Sequence, residues 1–349
     1  MKSYQWAVIG AGPAGIAAVG KLLDHQVPAH EIAWIDPHFT VGDFGTIWRN
    51  VPSNTKVSLF LKFLNEVAAF DYKNCPEHFA LDDADKNKTC ALSLMADPLQ
   101  WVSNHLKNTV HALEDFAEKL SMQHALWHIE LKKGETIVSH NVILAIGSEP
   151  KQLPFSTNHP VIPLQDAMDQ DRIKLHLESD HTIAVFGSSH SAVLAMRNLM
   201  ESGVKKVINF YRSPLRYAVY YDDWILFDDT GLKGPTAEWA RLYIDGELPH
   251  NLERLYSNPE NLEARLVDCD KVITAVGFNR RKLPIIEKIE HLTYVEECGI
   301  IAPGVFGFGI AFPEAKTNPL GLLEHRVGLW KFMDYLNRVM PVWLNYSAK

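Results

Sequence analysis

The chain has 349 residues, 47% of them hydrophobic and 22% charged, with a formal net charge of −8. A chain of that size and balance folds as about two domains, which excludes disorder and collagen-like repeats, and its acidity disfavours a nucleic-acid partner held by phosphate neutralisation. The four cysteines, Cys75, Cys90, Cys269 and Cys298, never stand in CxxC spacing, and the sixteen scattered histidines form no HExxH, so no disulfide scaffold, dithiol redox pair or metal site is expected.

The first element is a buried strand at residues 6–10, Trp-Ala-Val-Ile-Gly. That apolar run is too short for a signal peptide, and no run reaches the roughly 18 apolar residues of a spanning helix. A cytoplasmic chain without membrane contact is expected. The strand enters Gly10-Ala11-Gly12-Pro13-Ala14-Gly15, a G-x-G-x-x-G turn, and then a helix from Ile16. The chemistry asks for these glycines. Gly10 turns the chain sharply, Gly12 lets a pyrophosphate approach the backbone, and Gly15 lets helix and strand pack closely. The free N–H groups at the helix start then face the anion. A second strand, 31–35, ends at Asp36, about twenty residues past Gly15. A carboxylate there accepts ribose hydroxyls and repels a 2′-phosphate, which suits FAD or NAD and not NADP.

Further along, Asp97-Pro98 reads as an N-cap with proline at the first helical position, so a helix is expected from Leu99 to about Met122. Strands at 126–131 and 135–139, turned at Lys133-Gly134, are expected to form a small sheet covering the first domain. The strand 142–147 closes that region at Gly147.

A second fingerprint follows. The strand 182–186 leads into Gly187-Ser188-Ser189-His190-Ser191-Ala192 and a helix. This is G-x-S-x-x-A, in which the smallest substitutes stand for glycine. The next strand, 206–211, ends at Arg212, with Arg216 close behind. Arginine at the ribose end pairs with a 2′-phosphate, which favours NADPH over NADH; the alternative is a pair of solvated charges. His190 is read either as a pyrophosphate neighbour or as a helix-start residue without a ligand. Tyr217, Tyr220, Tyr221, Asp222, Asp223 and Trp224 make an aromatic and acidic patch, read as a cleft wall or a packed loop. The strand 271–278 ends near Gly277. A last helix is expected from about Leu320 to Met340; Leu322, Leu323, Val327, Trp330, Phe332, Met333 and Leu336 form its apolar stripe, for the core or a homodimer contact.

The nesting predicts an α/β chain of two Rossmann-like three-layer dinucleotide-binding domains, the NAD(P) domain inserted in the FAD domain. The expected boundaries are 1–150, 151–285 and 286–349.

The two nested fingerprints and the two glycine-ended strands resemble the two-dinucleotide-binding-domain flavoproteins, over nearly the whole chain. The redox cysteine pair of the disulfide reductases is missing after Asp36. Tyr211-Arg212 and Arg216 are similar to the arginine pattern of the small thioredoxin reductases, with Ser213 in place of one arginine. The class B flavin monooxygenases are closer in the first half. Gly45-Thr46-Ile47-Trp48 is similar to their Gly-x-Trp element with one extra residue. Ser53-Asn54-Thr55-Lys56 is similar to their Asn-x-x-Lys stretch. Phe70-Asp71-Tyr72 and Pro76-Glu77-His78-Phe79 are similar to their Phe/Pro/Asp-rich segment. Residues 159–165 carry no counterpart of their Phe-x-Gly-x-x-x-His element. The stretch 304–311 resembles the last FAD-contacting strand of the reductases, with Ile310 where they carry aspartate.

The resemblance implies FAD together with NADPH or NADH, and a hydride passing from nicotinamide to flavin N5. The expected reaction is monooxygenase-like, on a small-molecule substrate or electron acceptor. A flavin reductase or oxidase and a non-catalytic flavin-binding protein are the alternatives. The expected cofactor-binding residues are Gly10, Gly12, Pro13, Ala14, Gly15, Asp36, Trp48, Gly147, Gly187, Ser188, Ser189, His190, Ser191, Arg212, Arg216, Gly277 and Gly309. Asn54 is the catalytic candidate, as a flavin-side amide; as a turn residue it has no such role. Trp48 is read as a flavin neighbour or as plain core.

Overall fold

The computed structural model describes residues 2–287 and 293–346. The chain divides into two compact units, Met1–Ser148 with Arg280–Lys349, and Glu149–Asn279.

In the first unit the opening strand, Ser3–Ile9, lies at the centre of a mixed sheet. It pairs in parallel with Ile32–Ile35 on one side and Thr136–Leu144 on the other. His111–Leu113 extends the sheet beyond Ile32–Ile35, and Val305–Gly307 adds a parallel strand beside the end of Thr136–Leu144. Helix Pro13–Asp24 is buried from Ala14 to Leu22 and shares one core with Trp34, Phe306, Phe308 and the C-terminal helix. Four buried apolar side chains at Trp6, Val8, Ile32 and Trp34 give it a flat apolar floor.

Three expectations change here. The helix expected from Leu99 runs from Leu92 to Thr109 and carries Pro98 in its interior, so Asp97 is no N-cap. Met95, Leu99, Val102 and Leu106 recur at helical spacing and are all fully buried, and that stripe outweighs the missing proline N–H. Residues up to Met122 are not helical either. Ala117–Gln123 is a strand that meets Leu126–Leu131, with Leu120 opposite Ile129 and Met122 opposite Trp127. The small sheet does not cover the unit. Residues 136–144 are one strand, and the meander continues the same sheet in plane.

The third change is at the C-terminus. The helix is Leu329–Asn345, and Glu314–Thr317 pairs with Leu323–Arg326 as an antiparallel hairpin ahead of it. Asn318 turns that hairpin, its Oδ1 accepting the N–H groups of Leu320 and Leu322 (both 3.0 Å). Buried Glu314 accepts from Arg326 (2.9 Å) and Arg338 (2.8 Å), which ties the hairpin to the helix. Leu322, Leu323 and Val327 are therefore exposed and off the helix, while Phe332, Met333, Leu336, Val339 and Trp343 fill the core.

The second unit holds a five-stranded, wholly parallel sheet. Its order is Val161–Ile162, Lys271–Thr274, Thr182–Phe186, Lys206–Tyr211, Leu252–Tyr256. Phe186, Ile208, Phe210 and Val272 face Leu262 and Leu266, while helix His190–Glu201 packs with helix Gly234–Tyr243. Among the described residues no helix is long and apolar enough to cross a membrane.

Candidate functional site

Both glycine turns sit at the carboxyl end of a central parallel strand, where open α/β sheets bind ligands. Gly10 has φ +111, and a Cβ there would lie 2.3 Å from the carbonyl oxygen of Ala145. Its N–H bonds Ile35 O (2.8 Å), while Ala145 N–H bonds Ile9 O (2.8 Å). A Cβ on Gly15 would lie 1.9 Å from Gly10 O, which also accepts the indole N–H of Trp34 at 2.9 Å. Gly12 is the N-cap of helix Pro13–Asp24 and meets open space, the nearest atom to its Cβ position being Val41 O at 3.9 Å. No side chain caps this helix, Pro13 has no N–H, and no acid stands in the first turn. The result is a bare positive helix end beside an open cradle, and that fits a pyrophosphate.

Asp36 is fixed before any ligand arrives. Its Oδ2 accepts Ala11 N–H (2.8 Å), and Oδ1 accepts the N–H groups of His38 (2.9 Å) and Phe39 (2.8 Å). Of about four lone-pair sites on a carboxylate, three are used, which leaves one for a ribose hydroxyl. Gly309 has φ +80 and opens a turn so close to the helix start that its Cβ would lie 2.5 Å from that of Ala14. Gly147 has φ +75 with nothing near its Cβ position, and its carbonyl accepts Arg281 N–H (3.2 Å).

Sequence reasoning missed what lies over Gly12. Gly42, at φ +58, puts its Cβ position 3.2 Å from Gly12 Cα, and Val41 before it holds a left-handed φ of 60. Asp43 pairs with Arg281 at 2.5 Å. Burial pushes the Asp43 carboxyl up, against the pull of Arg281. No motif marked them, because Arg281 is far away in the chain. Trp48 follows, half-buried, its N–H bonded to Asp43 O (2.9 Å). Asn54 is exposed on the strand Pro52–Lys56 and not in a turn; it accepts the neighbouring Thr55 hydroxyl at 3.4 Å. None of its observed contacts joins it to the glycine turn.

The second turn repeats the first. Gly187 has φ +128, its Cβ position is 2.3 Å from Ala275 O, and its N–H bonds Phe210 O (2.9 Å). Here the glycine carbonyl is held by the amide of Asn209 (2.8 Å), which also bonds Val185 O (2.9 Å). Gly187, Ser188, Ser189, Arg212, Ser213 and Gly277 line a cavity of about 240 Å³. Phe186, Phe210 and Phe155 form its apolar wall, with ring centroids 5.0 and 5.8 Å apart. Ser189 is the N-cap of helix His190–Glu201, and Ser191 is half-buried in its first turn. Among the described residues His190 Nδ1 is buried without a partner. Burial, with Lys233 nearby, pushes this imidazole down to about 4. Arg216 does not line the cavity; its guanidinium lies over the Phe227 ring at 5.4 Å. The aromatic patch is a short hairpin, Val219–Tyr220 with Ile225–Leu226, not a packed loop: Tyr220 is 60% and Tyr221 49% exposed.

The family model described as pyridine nucleotide-disulphide oxidoreductase matches residues 4–219. The monooxygenase AgnR1 of Paecilomyces divaricatus is 34% identical over 390 residues, 97% of each chain. Among solved structures, the ornithine N-hydroxylase of Kutzneria sp. 744 superposes with a TM-score of 0.67 at 13% identity, covering 98% of this chain and 99% of the other. The bacillithiol disulfide reductase of Staphylococcus aureus does so with a TM-score of 0.63 at 11% identity, covering 99% of each. At such identity these two structures speak for the fold alone. The chain belongs to the pyridine nucleotide-disulphide oxidoreductase family, oxidoreductases of the FAD- and NAD(P)-binding class.

Proposed function

We propose that the chain is an NAD(P)H-dependent FAD monooxygenase acting on a small molecule, with NADPH as the preferred donor. The observation that carries this reading is the 34% identity to a monooxygenase along 97% of both chains, joined to a glycine turn built twice with one geometry. FAD would be held by the Gly10–Gly15 turn, with Asp36 offering its free lone pair to the ribose and Gly309 closing on the helix start. NADPH would be held by the Gly187 turn, with Arg212 on the cavity wall for the 2′-phosphate and the phenylalanine wall for the base. When bound, the flavin supplies hydride acceptance from the nicotinamide and delivery of electrons to oxygen. The protein's part is placement and charge. Two uncapped helix ends offer N–H groups to the diphosphates, and the apolar cavity wall keeps water off the base. The four cysteines are free, and none stands in either turn, which leaves disulfide reduction without its thiols.

The test is spectroscopic. The purified chain should be yellow, bleach with NADPH under nitrogen, and recover on admission of oxygen. NADPH consumption and oxygen uptake should then rise together with a hydroxylated or oxygen-inserted product from a panel of amines, sulfides and ketones. Bleaching and recovery with no oxygenated product would leave a reductase or oxidase. A colourless chain that flavin cannot reconstitute would end the reading.

A further inference from the structure

Residues 39–45 form a turn that their own backbone does not favour. Phe39 and Val41 are buried at left-handed φ of 53 and 60, which is costly for a bulky and for a β-branched side chain. Gly42 follows at φ +58, and a Cβ on Gly45 would lie 2.3 Å from Thr40 O. Such a conformation persists only where its surroundings over-determine it. Gln100 holds the start of the turn, its amide donating to Phe39 O (2.9 Å). Arg281 holds the other end through the Asp43 carboxylate (2.5 Å).

The turn's place gives this strain a use. It sets the Gly42 Cβ position 3.2 Å from Gly12 Cα, and Val41 O 3.9 Å from the Cβ position of Gly12, so it walls one side of the first cradle. It follows Ile32–Ile35, on one flank of the central strand Ser3–Ile9. Arg281 stands on the other flank, its own N–H bonded to Gly147 O (3.2 Å) just past Thr136–Leu144. The two flanking strands are roughly 10 Å apart. The ion pair therefore bridges the carboxyl end of the central strand, where the Gly10 turn begins. It adds little to folding, because burial and the nearby Asp36 both oppose the charge on Asp43. What it supplies is position.

We propose that Asp43 and Arg281 are a clasp across the flavin site, positioning residues whose ion pair holds the strained turn against Gly12 and sets how slowly FAD leaves. The proposal rests on the reading of the first unit as the FAD site.

Flavin fluorescence, which rises as FAD is freed, follows release from the full chain after dilution. D43N and R281M should each release FAD about five- to tenfold faster than the unaltered chain. The melting temperature of the flavin-free protein should stay the same. D43N/R281M should release no faster than the faster single variant, since both act through one bond. Salt near ~1 M should speed release from the unaltered chain more than from D43N, because it screens the pair. R281K keeps the charge but loses the planar fork, so it should give a smaller increase, and it decides the matter if a harsher variant fails to fold. Unchanged release, single effects that multiply in the double variant, or faster release matched by a fall in flavin-free melting overturns the clasp while leaving the FAD site in place. An unaltered chain that takes up no FAD overturns both.

Discussion

Gly10 and Gly187 hold the same backbone for the same reason. Each has a strongly positive φ, each sits 2.3 Å, at its Cβ position, from the carbonyl of an alanine at the end of the neighbouring strand, and each donates its N–H to the strand on the other side. The turns differ at the third residue of the helix, Gly15 in one and Ala192 in the other. A Cβ at Gly15 would strike Gly10 O at 1.9 Å, whereas the second turn carries Ala192, whose methyl rests 3.2 Å from the Cβ position of Gly187. The second turn therefore accommodates a methyl group at the position where the first does not. They differ again in what steadies the glycine carbonyl, an indole in one and an amide in the other. They differ most in charge, with Asp36 at the end of one second strand and Arg212 at the end of the other. The first glycine of such a motif is dictated by strain; the third is a matter of helix distance and admits a small side chain.

The largest effect should come from exchanging the third residues. Gly15→Ala puts a carbon against backbone that no rotamer can move, so helix Pro13–Asp24 must leave the sheet. The cost should be about 3 kcal/mol or more, with flavin lost on purification. Ala192→Gly removes a methyl from a turn that has room for it and should cost about 1 kcal/mol, with flavin content unchanged. Melting temperatures and flavin-to-protein ratios read both. A Gly15→Ala protein that keeps its flavin and its melting temperature would mean the first turn is no tighter than the second.

A smaller difference lies at the fourth residue, Pro13 in one turn and His190 in the other. Pro13 cannot titrate. His190 is held down to about 4, first by burial and then by Lys233. In the unfolded chain it titrates near ~6.5, so folding favours the neutral ring. Stability from this residue is complete above that value and drains away as pH falls towards 4. The loss should reach about 1–3 kcal/mol, and His190→Leu should flatten it. Urea unfolding of both proteins at several pH values measures the slope. Identical slopes would show that His190 is already open to water.

The first turn was legible in the sequence because strand, glycines, helix and acid are adjacent along the chain, and short-range sterics impose each of them. The second was legible from the same spacing, even with serine and alanine in place. What was not legible comes from contacts made across the sequence. Arg254 reaches Asn209 only because parallel pairing sets the two strands in register, and Arg281 meets Asp43 only after the chain has returned to the first unit. Nothing local to either arginine signals this. The helix over Leu92–Thr109 was misplaced because a proline favours a helix start, and a long buried stripe overrode that preference. The C-terminal helix was begun too early because Leu322 and Leu323 look like part of a stripe, whereas Asn318 and a buried ion pair fold them into a hairpin.

The smallest effect concerns the glycines that end the closing strands, Gly147 and Gly277. Both have positive φ, +75 and +103, but neither is crowded. Gly147 has nothing near its Cβ position, and Gly277 has the Lys151 side chain at 3.8 Å. Conformational preference alone makes Gly147→Ala or Gly277→Ala cost about 1 kcal/mol in melting. If that were their whole purpose, nucleotide affinity would follow stability. The space above each glycine instead belongs, in the proposed reading, to a cofactor approaching bare backbone. Gly147→Ala should then shed flavin, and Gly277→Ala should raise the KM for NADPH, each by more than the change in melting explains. A loss confined to melting would make these two glycines devices of the turn, and would separate them from Gly10 and Gly187, where crowding and ligand approach coincide.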